Sequence, residues 1–433
     1  MKRASDKGLP WGEQRLAWPR LAPPARWLEP EQPPPTPADP RPAARQAAAA
    51  VARRLRGGGR LALVVPDRTR PLPLAGLLPP VARALQDAGI DLSRVSLLSA
   101  SGMHRPMTPG ELRAWIGPEA CEGFTRLEPH DARGPCARLG VTSSGIDVLA
   151  HPAAAEAAAL LVLGRLVFHY VAGFGGGRKM LVPGIAGIET IVAMHARCLS
   201  PRPGSGRHPA CRPGRLEGNP VHEAACQAAA LFPPAVGLHV VVEPGAVMTR
   251  VTAGDLFTDH RREARRFAAT HRVTVPEPVP ALVVSAGGHP LDRNMVQANK
   301  ALAAVTEIVR PGGAILLLAR CADGVGNPEL LEGLRLGSST AIEQELRRRF
   351  RVGLHTALAL RGFCRTFRVL ALTEADDEVL ELAGIERVAD LAAGLARIGE
   401  ITGDEPVVVA PRGAGLLYST LQVRSLLSEE PPP

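Results

Sequence analysis

GGGRLALVVPDRTRPLP, residues 57 to 73, sets a glycine turn before an apolar run and a polar loop after it. Such a run, bounded by glycine and proline, predicts a buried strand with Asp67, Thr69 and Arg70 at its carboxyl end. The neighbouring segments keep the same order. AARQAAAAVARRLR, from about residue 44, reads as a helix; another is predicted near 74 to 88, then the strand RVSLLSA at 94 to 100 and the loop SGMHRPMTPGEL, which carries His104. After a less regular stretch, AAALLVLGRLVFHY predicts another buried strand, followed by a glycine loop and a helix from about 187. Strands alternating with helices argue for a parallel or mixed α/β sheet. In such sheets ligands gather at the carboxyl ends of the strands. Asp67 to Arg70, His104 and His169 to Lys179 should therefore converge on one crevice.

A second α/β block starts near 275, with VPALVVSAGGHPLD, the helix RNMVQANKALAAVTEIV and the strand GGAILLLARCADGVG, and further elements run to about 405. FAATHRVTVPEPVP, 267 to 280, reads as a linker, and the segment after 406 as a last strand and helix. The predicted architecture is α/β, with two α/β domains of mixed or parallel sheets and an active-site cleft between them. Residues 1–272 with 406–433 are expected to form the N-terminal catalytic, cofactor-binding domain, and 273–405 a C-terminal domain that adds substrate contacts. The proline-rich opening, 1 to 43, carries Trp11, Leu16, Trp18 and Trp27, an apolar content that suits an edge segment wrapped on a domain as well as a disordered arm.

At 433 residues the chain has room for two or three domains. Its net charge of +9 comes from scattered arginines with no aromatic-interleaved basic run, which predicts no nucleic-acid partner. No window is apolar enough to span a membrane and the N-terminus lacks a signal-peptide core, so a cytoplasmic enzyme with no membrane partner is expected. Lys2, Lys7, Lys179 and Lys300 are the only lysines, so 47 of the 51 basic residues are arginine. Arginine and lysine interchange where charge alone matters, but only an ammonium can lose its proton and become a nucleophilic amine. Two internal lysines therefore invite a chemical reading.

Lys179 lies in HYVAGFGGGRKMLVPGIAGIETIVAMH, 169 to 195. Glycines followed by a helix start suit a phosphate cradle, although Arg178 and Met180 stand where a P-loop needs glycine and serine or threonine. On the following helix Ile188, Ile191, Val192 and His195 share one apolar face. HARC, HPAC and HEAAC between 195 and 226 offer His195, Cys198, His208, Cys211, His222 and Cys226, soft ligands that a zinc-binding structural or regulatory protein would use, at spacings unlike common zinc motifs.

DRTRP at 67 to 71, GMHRPMT at 102 to 108, FHYVAGFGGGRKMLVPGIAGIETIVAMH at 168 to 195, GNPVHEAA at 218 to 225 and HPLDRNMVQANKAL at 289 to 302 together resemble the nickel-dependent lactate racemase family. The proline-rich opening resembles that family's N-terminal strands as well. The resemblance implies a two-domain isomerase that racemises or epimerises a 2-hydroxy acid. It implies a covalently attached cofactor, nickel held by a pyridinium-3,5-bisthiocarboxylic acid mononucleotide, the nickel-pincer nucleotide. Lys179 would be the tether and His195 the nickel ligand. The implied reaction is a proton-coupled hydride transfer through a bound 2-oxo acid, with His104 and His169 as the two acid/base groups. Arg70, Gln297 and Lys300 would anchor the substrate, while Asp67, Thr69, Gly175, Gly176 and Gly177 would hold the nucleotide. Enzymes that make the cofactor are implied partners.

Two departures bear on the substrate. Val296 stands where lactate racemases have a tyrosine, and Phe174 and Gly175 replace the tyrosine and serine common in the family loop. A smaller, drier wall at 296 admits a bulkier 2-hydroxy acid than lactate. A non-catalytic cofactor carrier would keep Lys179 and His195 and tolerate loss of His104 and His169.

Overall fold

The computed structural model describes residues 8–19, 22–30, 35–403 and 405–421. It contains two six-stranded sheets. The first has the order Val247–Asp255, Ala235–Glu243, Ala159–Arg165, Leu61–Pro66, Val95–Ala100, Arg126–Pro129. Its pairs are parallel except the one at the Val247–Asp255 edge. Leu61–Pro66 and Ala159–Arg165 are almost wholly buried, as expected of central parallel strands covered on both faces. The chain leaves Leu61–Pro66 toward one side of the sheet and returns to Ala159–Arg165 on the other. That reversal opens a crevice between the loops that follow these two strands. Residues 67–70 and 166–179 are those loops.

The second sheet runs Ile385–Arg387, Arg368–Leu372, Val309–Leu318, Val279–Ser285, Val407–Ala410, Ala25–Trp27, all parallel. Side-chain alternation divides the core. Ala62, Val64, Leu160 and Val162 of the first sheet join Leu282, Val284, Ile315 and Leu317 of the second in one continuous apolar cluster. The alternate residues Leu61, Leu63 and Val65 pack with Ala47, Val51, Leu77 and Leu78 of the helices Arg41–Arg54 and Leu74–Asp87. On the outer face of the second sheet, Ala281 and Val283 meet Leu9 and Trp18 from the N-terminal segment.

Three expectations change. The N-terminal segment is not part of the first domain: its hairpin, Gly8–Trp11 with Gln14–Ala17, docks on the second sheet, where Gly12 N–H donates to Asp292 Oδ2 at 2.5 Å and Ser285 Oγ–H to the Pro10 carbonyl at 2.6 Å. Val407–Ala410, also assigned to the first domain, pairs between Val279–Ser285 and Ala25–Trp27 in the second sheet. The linker at 267 to 280 is structured: the helix Thr258–Thr270 fills its start, and Arg272–Val275 pairs in parallel with Leu417–Thr420. The helix expected at the chain's end falls almost entirely on residues 422–433, outside the described residues.

Candidate active site

Arg70 turns back over the strand end it follows, its N–H bonded to the Asp67 carbonyl at 3.0 Å. Asp67 is buried. Its Oδ2 lies 2.8 Å from His104 Nδ1, and its Oδ1 accepts the Thr69 hydroxyl at 2.7 Å. Burial pushes the Asp67 carboxyl up, but the hydrogen bond and charge of His104, the charge of Arg70 and the Thr69 hydroxyl together bring it below the ordinary value. Asp67 and Thr69, expected at the nucleotide, are thus engaged in holding His104. A carboxylate at Nδ1 fixes the proton there and turns Nε2 outward as an acceptor.

His169 has the opposite arrangement. It follows Phe168 in a two-residue strand paired with Gly173–Phe174, and its Nδ1 accepts the backbone N–H of Val171 at 3.2 Å and of Ala172 at 3.1 Å. With two donors aimed at Nδ1, the neutral ring carries its proton on Nε2. Burial holds His169 well below the ordinary histidine value, and Lys179, Lys300, Arg70 and His195 add to the effect.

Lys179 lies in a 3₁₀ turn, Gly177–Met180, that closes the glycine loop. Burial, then Arg70, Arg178 and Lys300, hold its ammonium well below the ordinary lysine value. Lys300 is lowered in the same way by burial and Arg70. It extends from the helix Met295–Val305 of the second sheet's domain, its Nζ donating to Gln297 Oε1 at 2.5 Å. His195 lies in the last turn of Ile188–Ala196, where its Nδ1 donates to the Ile191 carbonyl at 2.8 Å and leaves Nε2 free. Burial, then Lys179, push it down to about 4.

The structure therefore brings Arg70, His169, Lys179, His195 and Lys300 into one electrostatic neighbourhood, with Gln297 beside Lys300 and His104 joined through Asp67. The field is positive and suits anionic groups. Arg178, overlooked in the sequence reading, strengthens it from below: fully buried, it donates to the Ala172 carbonyl at 2.8 Å, and burial pushes it down to about 10. Its position beside Lys179 in the motif was the available signal.

The glycine loop differs from the expected open cradle. Gly175 N–H donates to the Val167 carbonyl at 2.8 Å. Gly176 and Gly177 have φ of 73° and 53°, and a Cβ on them would lie 2.8 Å from the Arg165 carbonyl oxygen and 2.5 Å from the His260 ring. These glycines are required by packing behind the loop, whatever occupies its front.

The cysteines and histidines of 195 to 226 do not assemble a zinc site. Cys211 Sγ faces Asn219 Oδ1 and Cys226 Sγ faces His222. No three His, Cys, Asp or Glu side chains among the described residues are grouped to hold a metal ion. No helix among the described residues is long and apolar enough to cross a membrane.

Comparison with known proteins matches residues 42–206 to the lactate racemase N-terminal domain and residues 277–418 to the lactate racemase C-terminal domain. A lactate racemase from Thermoanaerobacterium thermosaccharolyticum is 30% identical over 272 residues, 62% of either chain. One from Lactiplantibacillus plantarum is 31% identical over 282 residues, 63% of this chain and 62% of the relative. Both alignments thus cover less than two thirds of the relative's length. In fold, the chain is similar to the lactate racemase apoprotein from T. thermosaccharolyticum, with a TM-score of 0.82 at 24% identity, covering 95% of this chain and 99% of that one. A structural-genomics protein from Thermotoga maritima shares the fold at a TM-score of 0.65 and 17% identity, covering 89% and 100%.

Proposed function

Since the chain belongs to the lactate racemase family, we propose that it is an isomerase that inverts the C2 centre of a small 2-hydroxy acid with a nickel-pincer nucleotide on Lys179. The reading is carried by the meeting of Lys179 with His169, His195, Arg70 and Lys300, drawn from three separate segments around one cationic centre.

The residues fit the cofactor. An amine held toward its neutral form can be acylated, as a covalent tether requires, and arginine could not replace it. His195 offers one neutral imidazole nitrogen, a donor suited to nickel. When bound, that group supplies a reversible hydride acceptor beside the substrate's C2.

The chain's own residues do the rest. Arg70 can take the substrate carboxylate bidentately, and Lys300 with Gln297 brings a second cation and an amide from the other domain. His104 Nε2, backed by Asp67, accepts the hydroxyl proton of one enantiomer. His169, whose Nε2 carries the ring proton, donates a hydrogen bond to the substrate oxygen, and His104 holds the hydroxyl proton while the planar 2-oxo acid is bound and returns it to that oxygen once the centre has inverted. The seven free cysteines are in keeping with a reducing cytoplasm, and enzymes that build the nucleotide are required partners.

The test is co-production of the full chain with cofactor-making enzymes, followed by intact mass, nickel content and a screen of D and L 2-hydroxy acids by loss of optical rotation. A Lys179-dependent adduct with equimolar nickel is expected. Equal nickel in Lys179→Ala overturns the tether.

A further inference from the structure

The residue after His169 is turned into the protein interior. Tyr170 is buried, and its ring lies 5.4 Å from that of His169 at an interplanar angle of 27°. Its hydroxyl is 2.8 Å from Nε2 of His355, which lies on the helix Val352–Thr366 of the second domain. His355 Nδ1 donates to the Val352 carbonyl, so Nε2 is an acceptor and the tyrosine hydroxyl is the donor. Thr356 Oγ1, 3.4 Å away, can complete the hydroxyl's partners. The His355 ring stacks with Tyr170 at 5.9 Å and lies 6.2 Å from His195. On its other side is Phe350, at 6.1 Å.

One hydrogen bond therefore links the neighbour of His169, in the first domain, to a second-domain histidine lying against His195. The helix Val352–Thr366 also packs on Met295–Val305, which carries Gln297 and Lys300. A second contact holds the same relation from the far side of His195. In the loop after its helix, Gly204 and Gly206 N–H donate to the two oxygens of Glu343, each at 2.8 Å, and Arg347 donates to the Ser200 carbonyl at 2.6 Å. Glu343 and Arg347 belong to the second domain's helix Ser339–Arg348. The loop fixes the domains broadly, whereas the Tyr170 hydroxyl acts at one atom between two site histidines.

We propose that Tyr170 and His355 are a positioning pair that registers the second domain on the first, orienting His169 toward the substrate and His195 toward the nickel. This rests on the racemase reading above. A buried hydrogen bond with both partners otherwise satisfied holds its two elements in one relation, and losing either partner leaves the other unpaired. The effect should appear in kcat and metal retention more than in substrate affinity, because Arg70, which belongs to the first domain, does not depend on the hydroxyl, and Lys300 shifts only as far as the packed helix that carries it.

The test uses the full chain with Tyr170→Phe, His355→Leu and His355→Gln, the last retaining an acceptor for the tyrosine. In loaded protein, Tyr170→Phe and His355→Leu should each lower kcat about tenfold with KM within about threefold, and speed nickel loss to EDTA about fivefold. His355→Gln should recover most of both. The double variant Tyr170→Phe/His355→Leu should be no worse than His355→Leu alone. Additive losses, or a glutamine variant as poor as the leucine one, overturn the pair. In unloaded protein, backbone hydrogen exchange at 168–174 and 188–198 should quicken in the phenylalanine and leucine variants and not in the glutamine one; unchanged exchange overturns the pair. If the wild-type chain neither loads nickel nor racemises, the racemase reading fails, and the exchange result still decides the pair.

Discussion

Asp67 and His104 form a carboxylate–imidazole pair, Oδ2 to Nδ1 at 2.8 Å, with the Thr69 hydroxyl bridging at 2.7 Å to the same carboxylate. The carboxylate selects the tautomer and stabilises the imidazolium formed when Nε2 takes a proton. Asn at 67 can turn its amide N–H toward Nδ1 and select the wrong tautomer. Asp67→Asn should lower racemisation on the order of a hundredfold or more while leaving the Lys179 adduct intact. Optical rotation and intact mass read the two effects separately. Equal loss of adduct and activity would return Asp67 to a nucleotide-binding role.

His169 faces two backbone donors where His104 faces a carboxylate. The two rings therefore rest with their protons on opposite nitrogens, so that His104 Nε2 is an acceptor and His169 Nε2 a donor. His104→Ala and His169→Ala should both retain the adduct and both lose at least about a hundredfold in turnover. A cofactor carrier that does no chemistry predicts no such loss, so a His169→Ala protein as active as wild type would favour that reading.

Much of the candidate site's placement could be read from the chain because its residues follow strand ends. LALVVP followed by DRTR, and ALLVLGR followed by HYVAGFGGGRK, placed Asp67, Arg70, His169 and Lys179 at neighbouring carboxyl termini. The rarity of lysine marked Lys179 and Lys300. What could not be read depends on tertiary partners. Ala25–Trp27 and Val407–Ala410 are short strands that fit either sheet by pattern, and only the pairing of Val407–Ala410 with Val279–Ser285, and of Ala25–Trp27 with Val407–Ala410, assigns them to the second. The Asp67 side chain could serve a ribose or an imidazole, and the choice lies in a contact 37 residues along the chain. His355 carries no motif, sitting in an apolar helix where a histidine reads as core.

Glu243 connects the two domains. Its Oε1 lies 2.6 Å from His271 Nε2 and its Oε2 3.3 Å from Arg412, beyond the second sheet's strand Val407–Ala410. The hydrogen bond from His271, then its charge and that of Arg412, hold this carboxyl below the ordinary glutamate value against the upward push of burial. A carboxyl lowered by folding adds stability that is fully present above its unfolded value, about 4.3, and is lost as pH falls through the folded value. Glu243→Gln should lower Tm at pH 7, with the deficit shrinking as pH falls below the ordinary glutamate value. Thermal denaturation of both proteins between pH 3 and 7 checks it, and a pH-independent difference would remove the charge from the explanation.

Val296 precedes Gln297 on the helix Met295–Val305 and is four residues, about one turn, before Lys300, so its side chain shares that lysine's face of the helix. It is partly buried and packs against the core shared by the two sheets. Tyrosine at this position adds a ring and a hydroxyl to the face that carries Lys300, the proposed substrate cation, and would narrow the space for an acid bound there while offering a polar contact. A pocket discriminates by bulk on the scale of about 1 to 3 kcal/mol per methylene-sized misfit, or tenfold and upward. Val296→Tyr should therefore lower kcat/KM for the bulkiest acid the wild-type protein accepts by about tenfold or more relative to lactate. The ratio of the two values is the quantity to measure, because it cancels differences in cofactor loading. A ratio unchanged by the substitution would place the substrate's side chain elsewhere in the cleft.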